Sequence, residues 1–225
     1  MKLAVLYSGG KDSTLALERA MSKGEVVCLI SLLSKNPESY LFHTPNIELT
    51  KLQAEAMGLP LIQKITKGEK EKELEDLKHA IEEAREKFGI EGVVTGGVES
   101  VYQAERFQRV CDSLDLWCFN PLWLGNQVEL LREAVKKFEV IISGIFAYPL
   151  GREWLGRKID GETVEELIAL NEKYGISPAG EGGEFETLVL DAPFFKKRIE
   201  ILEAEKRFER DSGVFFVRKA RLVGK

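Results

Sequence analysis

The chain has 225 residues, 44% hydrophobic and 31% charged, with a formal net charge of −5 at pH 7. That length can bury a sizeable core, while the near-balanced charge argues against a surface built to coat nucleic acid, so no nucleic-acid partner is expected. Cys28, Cys111 and Cys118 lack CxxC or Cys/His spacing and read as buried thiols, and with no signal-like opening and no run near the ~18 apolar residues of a span, a cytoplasmic protein without a membrane partner is expected.

Residues 2–7 (KLAVLY) form an apolar run broken by Ser8-Gly9-Gly10, the pattern of a buried strand entering a loop. From Asp12 to Lys23, Leu15, Ala16 and Ala20 recur at helical spacing and Gly24 closes the segment. EVVCLISLLS (25–34) is a second continuous apolar run, long enough for a strand buried on both faces of a parallel sheet. The opening is therefore βαβ. After the polar, proline-bearing NPESYLFHTPN (36–46), residues Ile47, Leu49, Leu52, Ala56 and Met57 mark a helix ended by Gly58. LPLIQKI (59–65) reads as a strand and Glu69 to Phe88 as a long helix whose Glu and Lys residues pair near i,i+4 spacing. Its Lys- and Glu-rich composition resembles a thermophile's ion-paired surface. GIEGVVTGG (89–97) supplies a fourth strand ending in Gly96 and Gly97, residues 99–116 another helix, and VIISGIFAY (140–148) is expected to continue the alternation. This order predicts an α/β fold with a doubly wound, mostly parallel sheet.

Beyond Tyr148 the rhythm changes. A helix over 163–174 precedes GISPAGEGGEFETLVLDAPFF (175–195), and then residues 197–210 and 212–223 alternate apolar and charged residues at period two, a half-exposed antiparallel signature. Two units are expected: a larger α/β half over 1–148 and a smaller α+β half over 149–225.

The chemistry begins at SGGKDS. A glycine-rich turn between a buried strand and a helix start presents unpaired N–H groups to an anion, and the helix dipole adds to the attraction. Ser8 and Ser13 offer hydroxyls, Lys11 a movable positive charge, and Asp12 a carboxylate able to hold Mg2+. A Walker A loop would need glycine where Val5 stands and a hydroxyl where Asp12 stands. The dinucleotide fingerprint fails on spacing. What SGGKDS resembles is the pyrophosphate loop of the N-type ATP pyrophosphatases, which let an acceptor oxygen attack the α-phosphorus of ATP and release pyrophosphate.

A second constellation packs Glu181, Glu184 and Glu186 around Gly182 and Gly183 before an apolar strand. Carboxylates so dense repel one another unless they meet cations, donors or water. The loop reads either as a solvated acidic turn or as a binding element for a cation or an amine donor.

SGGKDS together with FHTPN (42–46), GGVESVYQAERFQRVC (96–111), NPLWLGNQVELL (120–131) and EGGEFETLVLDAP (181–193) resembles the diphthine–ammonia ligase family through nearly the whole chain. The resemblance implies an adenine nucleotide alpha hydrolase-like, Rossmann-like fold. It also implies an AMP-forming ligase that amidates diphthine, a modified histidine of elongation factor 2, with ammonium and ATP, Mg2+ assisting. Carried over, Ser8, Gly9, Gly10, Lys11, Asp12 and Ser13 would grip the phosphates, Asp12 the metal, and His43, Gly96 and Gly97 the rest of the nucleotide. Glu181, Gly182, Gly183, Glu184, Glu186 and Thr187 would line the acceptor side, with Tyr102 and Arg106 beside them. Lys11, Asp12, Glu184 and Glu186 are the expected catalytic set. The trimethylammonio group of diphthine would meet carboxylates or the aromatic faces of Tyr102, Phe185 or Trp123. Trp117, Trp123 and Trp154 otherwise read as core or interface anchors.

The alternatives are another N-type ATP pyrophosphatase, tRNA-modifying or adenylating a small molecule, and a non-catalytic ATP sensor. A tRNA-thiolating enzyme commonly needs paired cysteines, and a glutamine-dependent amidotransferase needs a glutaminase for which there is no room. A sensor needs no acceptor pocket. The sequence leaves a homo-oligomer open.

Overall fold

The computed structural model describes residues 1–36, 45–69 and 72–225. His43 and most of FHTPN lie outside the described residues.

The βαβ opening is present: β1 (Lys2–Leu6), α1 (Lys11–Met21) and β2 (Glu25–Ser34). After a short 3-10 turn over Ile47–Leu49 come α2 (Thr50–Met57), β3 (Leu61–Thr66), α3 (Lys72–Phe88), β4 (Gly92–Val94) and α4 (Val101–Ser113). Gly58 ends α2 in the left-handed conformation, which glycine adopts without a Cβ penalty. A short strand β5 (Trp117–Phe119) and a helix α5 (Gln127–Lys137) follow. The sequence pattern did not distinguish either, because three residues are too few for a strand period and Asn126, whose side chain caps α5, sits inside a run of turn residues.

Strands β1 to β5 form a parallel sheet in the order β3-β2-β1-β4-β5. Its inner strands are apolar on both sides because both faces are covered. Leu3, Val5 and Leu29 join a core with α1 and α5, whereas Ala4, Cys28 and Ile30 face α3 and α4. Ion pairs from Lys137 to Glu18 and from Arg19 to Glu133 bind α5 to α1.

The strand expected to continue that sheet does not. β6 (Glu139–Ile145) pairs antiparallel with β7 (Phe185–Asp191) and β9 (Ser212–Val223), and β9 with β8 (Arg198–Glu209), giving the order β7-β6-β9-β8. An apolar run signals burial but not the direction of pairing, and β6 is buried between the two layers. The change of sheet thus falls between Phe119 and Glu139. Helix α6 (Gly161–Tyr174) and the β8–β9 hairpin take the forms that their patterns predict.

Cys28 and Cys111 are buried as expected and Cys118 is half-buried. Of the tryptophans, Trp154 is in the core, but Trp117 stands on edge strand β5 and is 69% exposed. It is not a core anchor.

Candidate functional site

In the order 3-2-1-4-5 all strands run parallel, but the order in which they are added reverses between β1 and β4, and ligands in such sheets bind at the carboxyl ends of the strands flanking that switch. The loop Ser8–Gly10 leaves β1 there, and Gly96-Gly97 leaves β4 beside it. Gly96 lies so close to α1 that a Cβ would sit 2.8 Å from the Ser13 nitrogen and 3.0 Å from the Asp12 carbonyl carbon. The two sequence motifs therefore form one floor.

Helix α1 opens at Gly10 without a side-chain cap. Its first N–H groups are left for other partners. One of them, the Lys11 N–H, donates to Thr187 Oγ1 at 3.0 Å. The Ser8 and Ser13 hydroxyls lie 3.1 Å apart across the loop, and the Thr14 hydroxyl donates to the Gly10 carbonyl at 2.8 Å. Gly9 sits at φ +83°, in the left-handed region, and a side chain there would collide with Gln53 Oε1. Gly9 is required both by its backbone and by its neighbour.

Strand β7 brings the glutamate loop to this cradle. Glu186 stands opposite Gly144 in the β6–β7 ladder, and the Phe146 N–H donates to the Glu184 carbonyl at 2.8 Å. Directly opposed residues share a face, so the Glu186 side chain and the Phe146 ring, which lies over Gly144, are on one side of the ladder. Phe146 is 37% exposed, and its ring packs where a Gly144 side chain would be. Phe185 points the other way into the core, only 3% exposed. The expectation that it offers an aromatic face to a ligand is wrong, because strand alternation turns it inward.

Charge is concentrated here. Lys11 is 3% exposed and its Nζ meets Asp12 Oδ2 at 2.7 Å. Burial by itself would lower the Lys11 ammonium, but Asp12, Glu181 and Glu186 hold it above the usual lysine range. Burial, then Asp12, pushes the Glu181 carboxyl up to about 7 against the opposing pull of Lys11. Burial likewise raises Glu186 to about 7, with Lys11 opposing and Asp12 and Glu181 adding. One ammonium is shared among three carboxylates, so the site favours a further cation or proton.

A cleft of about 900 Å³ opens beside the loop, lined in part by Glu99, Asn126, Gln127, Ser177, Glu181 and Glu184. Its wall is a hydrogen-bonded chain. Gln127 Nε2 donates to Glu99 at 3.0 Å, the Ser177 hydroxyl to Gln127 Oε1 at 2.6 Å, and the Glu181 N–H to Ser177 Oγ at 2.9 Å. Glu184 Oε1 accepts from the Ser177 N–H at 2.8 Å, and its Oε2 is buried without a hydrogen-bond partner.

Sequence reasoning missed Gln53, Glu99, Gln127 and Ser177. Gln53 alone carried a signal, a glutamine at i+4 from Leu49 and i−3 from Ala56 on the apolar stripe of α2. The others are polar residues in polar turns. Tyr102 and Arg106 do not line the cleft; the Arg106 guanidinium lies over the Tyr102 ring, 3.5 Å from its centroid, and donates to the Tyr102 carbonyl. At Gly97 a Cβ would meet Thr95 Oγ1 at 3.8 Å, an ordinary contact. Asn46, the last residue of FHTPN, sits at φ 62° and pins β9 through bonds with the Phe215 carbonyl and the Val217 N–H, both 2.8 Å.

Among the described residues no group of three or more His, Cys, Asp or Glu is placed to hold a metal ion. Asp12 fits a one-carboxylate Mg2+ site completed by phosphate oxygens and water, the usual arrangement at nucleotide sites, and not an all-protein cage. No helix among them is long and apolar enough to cross a membrane.

Comparison with known proteins identifies the family. Residues 1–117 match the family described as the diphthamide synthase N-terminal domain, and residues 126–223 its C-terminal domain. The chain is 36% identical to the diphthine–ammonia ligase of Rattus norvegicus and 34% identical to that of Homo sapiens, in each case over 91% of this chain and 84% of the relative. A solved structure, a predicted subunit of tRNA methyltransferase from Methanocaldococcus jannaschii, matches 86% of this chain and 98% of its own at 19% identity, with a TM-score of 0.46. With both domain families matched in order and relatives of this identity along most of its length, the chain belongs to the diphthamide synthase family, the family of the diphthine–ammonia ligases.

Proposed function

We propose that this protein is an ATP-dependent ligase that amidates diphthine on elongation factor 2 with ammonium, forming AMP and pyrophosphate. The observation that carries the reading is the bond between the Lys11 N–H and Thr187 Oγ1. It joins the phosphate loop to the glutamate strand, so activation and acceptor binding meet at one place.

In the first step a carboxylate oxygen of diphthine attacks the α-phosphorus of ATP, the bond to the β-phosphate oxygen breaks, and pyrophosphate leaves. The acyl-adenylate then has the leaving group that a free carboxylate lacks. The N–H groups at the start of α1, the Ser8 and Ser13 hydroxyls and Lys11 receive the phosphate charge. Mg2+, held by Asp12 with the phosphates, would supply further charge neutralisation.

In the second step ammonium gives up a proton to become ammonia, which attacks the carbonyl carbon; the carbon–oxygen bond to AMP breaks, and the nitrogen gives up a second proton. Glu186, raised to about 7, is suited to take that proton near neutral pH. Glu184 and Glu186 present negative charge to the trimethylammonio group.

Incubation with ATP, Mg2+, ammonium and diphthine-bearing elongation factor 2 should yield AMP, pyrophosphate and the mass of an amidated histidine. ADP in place of AMP, or turnover that ignores the acceptor, would sink the reading. Glu184→Gln should raise the KM for the acceptor well above any change in ATP affinity. Equal effects on both would remove Glu184 from the acceptor side.

A further inference from the structure

Gln53 is fully buried on α2, at 0% exposure, yet it reaches both halves of the site. Its Nε2 donates to the Gly9 carbonyl at 2.9 Å and to the Val189 carbonyl at 2.8 Å. The Val189 N–H donates to the same Gly9 carbonyl at 2.9 Å. One amide thus closes a triangle between the phosphate loop and β7.

The orientation of that amide follows from its surroundings. Reversed, it would set Oε1 against two carbonyl oxygens and lose both bonds. In the orientation observed, Oε1 is buried without a hydrogen-bond partner and lies against Gly9, in the space that a side chain there would take. An unsatisfied buried acceptor is destabilising. Its presence here accompanies a geometric result: the Gly9 carbonyl is held by two donors at once. Because the peptide is planar and trans, the Gly10 N–H points opposite to the Gly9 carbonyl, and is therefore turned away from α2 and β7. Fixing one end of that peptide aims the other as a donor for a ligand.

We propose that Gln53 is a positioning residue for the nucleotide, setting the Gly9–Gly10 peptide so that the loop is preorganised for phosphate before ATP arrives. The inference rests on the reading of Ser8–Ser13 as the ATP phosphate site.

The test is equilibrium binding of ATP without acceptor, together with acceptor KM at saturating ATP and a thermal melt. Gln53→Met keeps length and removes both donors. Gln53→Glu can donate only when protonated, and is the second variant should Gln53→Met fail to fold. Loss of both bonds is expected to weaken ATP binding about tenfold or more, with acceptor KM little changed. For Gln53→Glu the deficit should shrink as pH falls from about 8 to about 5.5, as a buried carboxyl regains its proton; a purely structural residue would not give that profile. A folded variant binding ATP as the wild type does, or ATP and acceptor affinities falling together with the melting temperature, overturns the proposal. A wild-type protein that binds no ATP instead removes the phosphate-loop reading beneath it.

Discussion

The Lys11 N–H and the Thr187 hydroxyl oxygen are 3.0 Å apart, though 176 residues separate them in sequence. Both residues are buried, and the bond satisfies a first-turn donor that an uncapped helix would otherwise leave open. Thr187→Val keeps the shape and removes the acceptor. Leaving that N–H unpaired should cost about 1–3 kcal/mol, a fall of roughly 3–9 °C in Tm for a chain of this size. Thr187→Ser should retain most of the stability. Calorimetry of the two variants checks this, and a Thr187→Val protein as stable as the wild type would show the bond to be incidental.

Glu186 gives a pH dependence of definite sign. Its carboxyl is raised from 4.5 to about 7 in the folded protein, chiefly by burial, so the folded state holds the proton more tightly than the unfolded chain. The associated stability is complete below the unfolded value and is lost as pH rises through the folded one. Glu186→Gln abolishes that loss. The variant should exceed the wild type by on the order of 1 kcal/mol near pH 8, after allowing for solvent screening, and show no such advantage near pH 4.5. Denaturant melts at the two pH values check it, while amidation by the variant should fall.

These two residues show what a sequence reader can and cannot extract. Lys11 and Asp12 were legible because a strand, a glycine turn and a helix start are contiguous, and contiguity makes the local geometry readable. Glu181 to Thr187 were visible as an unusual charge density, yet their meeting with Lys11 depends on the long-range pairing of β7 with β6. That pairing is also what the pattern of β6 misrepresents: its apolar run fits a parallel strand as well as an antiparallel one buried between layers. Phe185 was misread for a related reason, since period-two alternation decides its face only once the strand start is known. Gln53 acts through its amide on the backbone of other elements, so no local motif surrounds it.

Among the described residues Lys11 is the cation that faces Asp12, Glu181 and Glu186, and its charge opposes the rise of the last two. Lys11→Met should therefore raise both carboxyls further and steepen the loss of stability between about pH 5 and pH 8. AMP formation should fall by a factor of about 100 or more, the scale for removing a preorganised group that receives transition-state charge. Steady-state AMP release and a pH series of melts measure the two effects separately. Unaltered stability at high pH would show that the lysine does not offset Glu181 and Glu186.

Gly96 and Gly97 are adjacent but should behave oppositely. A Cβ on Gly96 would press on backbone atoms, 2.8 Å from the Ser13 nitrogen and 3.0 Å from the Asp12 carbonyl carbon. A flexible side chain could yield, but the first turn of α1 cannot move without carrying Lys11, Asp12 and Ser13 with it. Gly96→Ala should thus destabilise by about 1–3 kcal/mol, the usual scale of overpacking, and weaken ATP binding, since the phosphate donors are displaced with the helix. At Gly97 the nearest atom to a Cβ is Thr95 Oγ1 at 3.8 Å, an ordinary contact, and neither glycine has a positive φ that would penalise alanine for its backbone alone. Gly97→Ala should leave Tm within about 0.5 kcal/mol equivalent of the wild type, and any loss of ATP affinity in that variant would then report a direct contact between nucleotide and Gly97. Tm and ATP titrations on both variants decide the matter: if Gly96→Ala binds ATP normally, the close approach of β4's exit to α1 is packing without consequence for the nucleotide.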